Sequence, residues 1–256
     1  MDWPKYWIVQ VISVLGGISG ILGLLALWDS PWRRPLMLGV TIFCVLFFLA
    51  EYQKDRVTVL FSGVKRYYRH FGGDQNTAVF AQIEEQYRYF GITFDSVKTV
   101  FTNWYLHHRR GSPTIQILLS DPDAANILEF QARYECDLFT DPLTPDQKQR
   151  LNLIVERTRT NIRSTLATLA ALPPAVPPIE VRLHQDRARR WTHEVNGQTL
   201  YLGLLRRGAN GLNSPVFVLN RSKNWTLFNH HHDGWEGLWQ ASTVVDLNTY
   251  KGAAHA

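Results

Sequence analysis

Residues Ile8 to Leu27 read IVQVISVLGGISGILGLLAL, twenty positions without a charge. At about 1.5 Å of rise per residue, a helix of this length covers the roughly 30 Å hydrocarbon layer of a bilayer. Trp7 and Trp28 flank the run, where amphipathic rings favour a membrane interface. A second uncharged run, LMLGVTIFCVLFFLA at Leu36 to Ala50, follows the short turn Asp29 to Arg34. The pattern predicts a two-helix transmembrane hairpin over residues 1–52. A buried hairpin within a soluble fold is one rival reading, and a signal peptide is the other. It would have a basic start, a shorter apolar core and a small-residue cleavage site, and MDWPKYW followed by two spans fits that poorly.

The first run places Ser13, Gly16, Gly17, Gly20 and Gly23 at four-residue spacings. Small residues at that interval let helices in lipid approach closely. They are read here as transmembrane packing positions, compatible with several copies assembling when active. Lys54, Arg56, Lys65, Arg66 and Arg69 lie just after the second run, and that basic flank places both termini in the cytoplasm.

Charge and cysteine content bound the rest. The chain of 256 residues carries a formal net charge of +5. That mild excess permits contact with nucleic acid or anionic lipid without requiring it. Two cysteines, Cys44 and Cys136, build neither a disulfide framework nor a zinc site. No Walker loop or Rossmann glycine fingerprint is present, so no cofactor is expected. His230-His231-His232-Asp233 sits in a helical pattern, where adjacent side chains point in different directions. No metal site is expected there.

Residues 53–84 read as an amphipathic linker, with a basic helix from Arg56 to Phe71. From residue 85 onward an α/β pattern begins. Tyr87–Ile92 reads as a strand, and Asp95 as the N-cap of a helix running to about Arg110. Thr114–Leu119 is a second strand, followed by a helix to about Tyr134. A long helix is expected over Asp146–Leu172, ended by the Pro173–Pro178 run. Strands are expected at Ile179–Leu183, Trp191–Val195, Thr199–Leu205 and Val216–Leu219, with a hairpin turn at Asn196-Gly197. A final helix covers Trp225–Val244. Between Ile179 and Lys223, eight Lys and Arg face three acidic residues. Of these, Arg187, Arg189, Arg190, Arg206 and Arg207 are the candidate phosphate or nucleic-acid contacts, since guanidinium groups bind phosphate bidentately.

Three fragments, YRYFGITFDSVKTVF, GSPTIQILLSDPDAANILEFQARYE and HEVNGQTLYLG with SPVFVL, resemble a phospholipase D-like domain over about residues 85–256. The resemblance implies a strand ending in Gly-x-Ser/Thr, a strand ending in Leu-x-Asp-Pro, and a hairpin carrying His-x-Lys-x4-Asp-Gly. Here Asn196-Gly197 stands for Asp-Gly, Arg189 for the nucleophilic histidine and Trp191 for the lysine. Arginine stays protonated and cannot attack, so no catalytic residue is expected. The expected fold class is α/β: a transmembrane hairpin plus a phospholipase D-like α/β sandwich without its catalytic motif. A dead domain joined to two spans is similar to bacterial two-transmembrane anti-phage effectors, such as those of retrons. That similarity implies a multi-pass inner-membrane toxin, with its partners the lipid bilayer, further copies of itself, and a reverse transcriptase with its RNA–DNA hybrid that holds it silent. Two other readings stand beside it: gating by a nucleotide second messenger, and a phosphodiesterase or phospholipase using His193.

Overall fold

The computed structural model describes residues 64–174, 177–208 and 214–251. They form one mixed sheet of eight strands with five helices. In chain order these are β1 (Val64–Tyr68), α1 (Gly73–Phe80), β2 (Gln86–Gly91), α2 (Asp95–His107), β3 (Thr114–Ser120), α3 (Ala125–Cys136) and α4 (Pro145–Ala170). There follow β4 (Glu180–His184), β5 (Arg190–Val195), β6 (Thr199–Leu204), β7 (Val216–Asn220), α5 (Trp225–Ala241) and β8 (Thr243–Val244), then a 3-10 turn at Leu247–Tyr250.

The strand order is β1-β7-β6-β5-β2-β3-β4-β8. β2, β3 and β4 run parallel, and every other pairing is antiparallel. Parallel neighbours need crossover connections, here supplied by α2 and by α3 with α4. β5 and β6 need only a turn. Asn196 and Gly197 close the β5–β6 hairpin with φ of 53° and 61°, the left-handed region that Asn-Gly tolerates.

Side-chain alternation gives the sheet two buried faces. Tyr87, Tyr89, Ile115, Ile117, Val181, Val195 and Val218 point to one, against Phe80 of α1, Phe101 and Trp104 of α2, and Ile162 and Leu166 of α4. Phe90 and Leu118 point to the other, which α5 covers with Trp235 and Trp239. The same helix presses Phe228 onto Leu200 and Leu219. The second face also holds a charged cluster. Glu194, almost fully buried, meets Arg88 at 3.6 Å and His232 at 3.0 Å, and Arg88 reaches Glu236 at 2.6 Å. His232 therefore turns inward rather than to solvent.

Several expectations are corrected. Over the described residues the fold class is α/β with one eight-stranded mixed sheet between helices, in place of the expected phospholipase D-like sandwich, and the hairpin expected over residues 1–52 lies outside them. Among the described residues no helix is long and apolar enough to cross a membrane. Even α4, 26 residues long, is amphipathic and carries Arg150, Glu156, Arg157, Arg159 and Arg163. The multi-pass inner-membrane placement has no membrane-crossing helix to support it among the described residues, and its two expected spans lie outside them. Ser13, Gly16, Gly17, Gly20 and Gly23, on which hairpin packing rested, lie outside the described residues. The basic amphipathic helix over Arg56–Phe71 is overturned where it is described: Val64–Tyr68 is an edge strand paired with β7. At α2 the N-cap is Phe94, held at φ 60°, and Asp95 is the first helical residue. At α4 Thr144 caps, accepting from the Gln147 N–H while the Gln147 side chain accepts from the Thr144 N–H.

Candidate ligand cavity

A cavity of about 400 Å³ opens beyond the C-terminal end of β2. Pockets for small ligands commonly span roughly 300–1,000 Å³. In open sheets with parallel strands they lie at this edge. Ile92, Thr93, Asp95, Ser96 and Val97 enter from the β2–α2 junction. Gln131, Tyr134 and Glu135 come from α3, and Arg157, Thr158 and Asn161 from α4. Trp191 and His193 of β5 and Phe71 complete an aromatic wall. The Phe71 and Trp191 rings are 5.4 Å apart, and those of Trp191 and His193 5.2 Å.

Local sequence explains how this wall is held. Trp191 pairs across the hairpin with Gly203, and its indole occupies the space that a side chain at 203 would fill. Gly91 likewise leaves room for the Tyr89 ring. The β2–α2 junction is fixed by Thr165 of α4, whose hydroxyl donates to the Thr93 carbonyl at 2.7 Å. Gln131, buried, donates to the Ala188 carbonyl at 2.7 Å and ties α3 to the approach to β5.

Two groups in the wall carry its chemistry. His193 is 1% exposed, and its Nδ1 lies 2.7 Å from the Tyr87 hydroxyl. Burial pushes the imidazole down to about 3 and raises the Tyr87 phenol well above its ordinary value. The ring is therefore neutral at physiological pH and the phenol keeps its proton. The phenol has no other hydrogen-bond partner among the described residues, so it donates to Nδ1 and the imidazole proton sits on Nε2. Asn76 of α1 is 2% exposed, lines the cavity, and its Oδ1 has no hydrogen-bond partner. A buried amide oxygen left unmatched costs about 1–3 kcal/mol.

The candidate arginines are not brought together in the cavity. Arg190 borders it, but its guanidinium lies on the α5 face, 5.9 Å from the Phe90 ring and close to Gly234. There it helps burial hold His231 down at about 4. Arg187 and Arg189 are exposed over the Phe130 ring at 5.2 and 5.6 Å, and Arg189 also lies 5.8 Å from the Tyr134 ring. Arg206 is exposed. Arg207 stacks on Phe139 at 4.6 Å and pairs with Asp137 at 2.7 Å. The cavity's own charges nearly cancel, since Arg157 bridges to Glu135 at 2.6 Å and Asp95 pairs with Lys98 at 3.0 Å.

Asn196, matched above to the orienting aspartate of phospholipase D, lies at the other end of β2. Its Oδ1 accepts from the Glu84, Glu85 and Gln86 N–H groups at 3.0, 3.0 and 3.3 Å. Its amide donates to the Gln82 carbonyl at 2.8 Å. The residue clamps the hairpin to the start of β2 and is remote from the cavity. Among the described residues no cluster of three metal-ligating side chains forms. Asn76, Gln131, Thr158 and Asn161 were missed in the sequence, because single polar residues inside helical patterns give no motif.

No family model and no curated protein matches the chain. Among solved structures the chain is similar to TrmBL2, described as an archaeal chromatin protein that shows a novel mode of DNA binding. Identity is 10%, coverage is 86% of this chain and 69% of that chain, and the TM-score is 0.37. So loose a superposition does not define a shared fold. The resemblances to phospholipase D and to retron-type two-transmembrane effectors are corrected accordingly: neither is matched, and no membrane-crossing helix is found among the described residues.

Proposed function

We propose that the domain is a non-catalytic receptor for a nucleotide-type ligand, with the base in the cavity and the phosphates outside it. The observation that carries this reading is the cavity's lining, which sets the rings of Phe71, Trp191 and His193 beside the side chains of Asn76, Gln131, Thr158 and Asn161. Amide and hydroxyl groups beside aromatic rings suit the edge and the face of a nucleobase. Neutral His193 is part of that lining, and Trp191 adds an aromatic ring for stacking. Because the internal charges cancel, a phosphate gains little inside the cavity. Arg189, stacked on the rim residue Tyr134 and without an ion pair among the described residues, supplies the outer cation.

A catalytic reading through His193 is weaker. A histidine held neutral down to about pH 3 is a poor proton acceptor, and Val195, not a lysine, follows it on the same face of β5. Titration calorimetry of the full chain against ATP, GTP, AMP and cyclic dinucleotides tests the proposal. At least one should bind, with at least tenfold loss in Asn76→Leu. No binding across the panel, or equal binding by Asn76→Leu, would sink it.

A further inference from the structure

Three aromatic rings from α3 and the following loop form a triangle outside the cavity mouth. Phe130, Tyr134 and Phe139 have centroids 6.1–6.4 Å apart. Arg187 and Arg189 lie over Phe130, and Arg207 lies over Phe139. Phe139 is 41% exposed. Sequence places these six residues in three separate stretches, and only the fold makes them one surface.

We propose that this surface binds single-stranded nucleic acid. A guanidinium held against a ring keeps N–H groups for other partners, so Arg187 and Arg189 are placed as bidentate phosphate contacts, while Arg207 is already paired with Asp137. Neither Arg187 nor Arg189 forms an ion pair among the described residues, which leaves their charge for a polyanion. The exposed Phe139 ring and the guanidinium planes give bases a stacking surface, the combination by which proteins hold single strands without reading sequence. A duplex fits poorly. Its bases are already stacked, and among the described residues no isolated helix or β-ribbon projects here to enter a major groove. The inference goes beyond the receptor reading. It shares Arg189 and the rim residue Tyr134 with it but needs neither Asn76 nor an occupied cavity.

Fluorescence anisotropy of the full chain with labelled dT15, rU15 and a 15-base-pair duplex tests it. Binding of dT15 or rU15 is expected to exceed duplex binding. With about two phosphates neutralised, log K should fall with log salt at a slope of about −1.4. Arg187→Glu and Phe139→Ala, each shown by thermal melting to stay folded, should each weaken single-strand binding at least fivefold. Asn76→Leu should leave it unchanged. No oligonucleotide binding at 50 mM salt, equal binding of the duplex, or unchanged binding by both surface variants would overturn the proposal. Because ATP and cyclic dinucleotides probe the cavity separately, failure of one reading is distinguishable from failure of the other.

Discussion

The Tyr87 hydroxyl and His193 Nδ1 meet at 2.7 Å between two adjacent strands, inside a shell of aromatic rings. The pair makes stability depend on pH. In the unfolded chain the imidazole binds a proton near its ordinary 6.5, while in the fold it does so only near 3. Between those values the unfolded state holds more protons, so stability rises with pH across the window. It is fully present above about pH 6.5 and is lost progressively as pH falls toward 3. Urea titrations at pH 7 and pH 4.5 check this. His193→Gln should flatten the dependence, even if it lowers stability at pH 7.

Tyr87→Phe removes the donor and leaves Nδ1 buried without a partner. A loss of about 1–3 kcal/mol is expected. In a domain of this size that is a drop in Tm of roughly 2–4 °C per kcal/mol, read by calorimetry.

Asn76→Leu should do the reverse. It replaces an unmatched buried amide with an apolar group of similar size, so Tm should rise while nucleotide affinity falls. Such an opposition between stability and binding is expected of a polar group retained for a ligand. A lowered Tm would show that Asn76 serves the fold.

Gly203→Ala sets a methyl group against the Trp191 indole. Overpacking of this kind costs about 1–3 kcal/mol. Because Trp191 forms the cavity wall, the same change should weaken nucleotide binding. Gly203→Ala combined with Trp191→Leu should recover stability but not binding.

Glu194→Ala leaves Arg88 without its buried carboxylate and His232 without its acceptor. Removing one partner of a buried ion pair costs about 3–5 kcal/mol. Glu236→Ala, at the exposed end of the same cluster, should cost under about 1 kcal/mol. Chemical denaturation of both variants checks the contrast.

The elements legible in the sequence were those with an uninterrupted local signal. β2, β3, α4, and the β5–β6 hairpin at Asn196-Gly197 follow from short apolar strands, a long amphipathic run and a turn dipeptide. β1 was misread because VKRYY fits a helical stripe as well as an edge strand, and only its pairing with β7 decides. Arg190 was read as a phosphate contact from charge alone. On a strand, a shift of one position reverses the face, and its neighbour Trp191 faces the cavity instead. Asn196 was matched to a catalytic carboxylate by its place in a motif, whereas its four hydrogen bonds are structural. The cavity was hidden because its lining comes from six elements whose convergence is set by the crossovers.

The pairing of β1 with β7 joins segments separated by about 150 residues. During synthesis β1 leaves the ribosome first, yet its partner is among the last strands made. Until then it is an amphipathic ribbon without a neighbour, and β7 without it is a bare edge of Val216, Phe217, Val218 and Leu219. A chain shortened to begin after Tyr68 would carry that edge permanently. Such a fragment should self-associate through β7, which makes β1 a guard against aggregation as well as a member of the sheet.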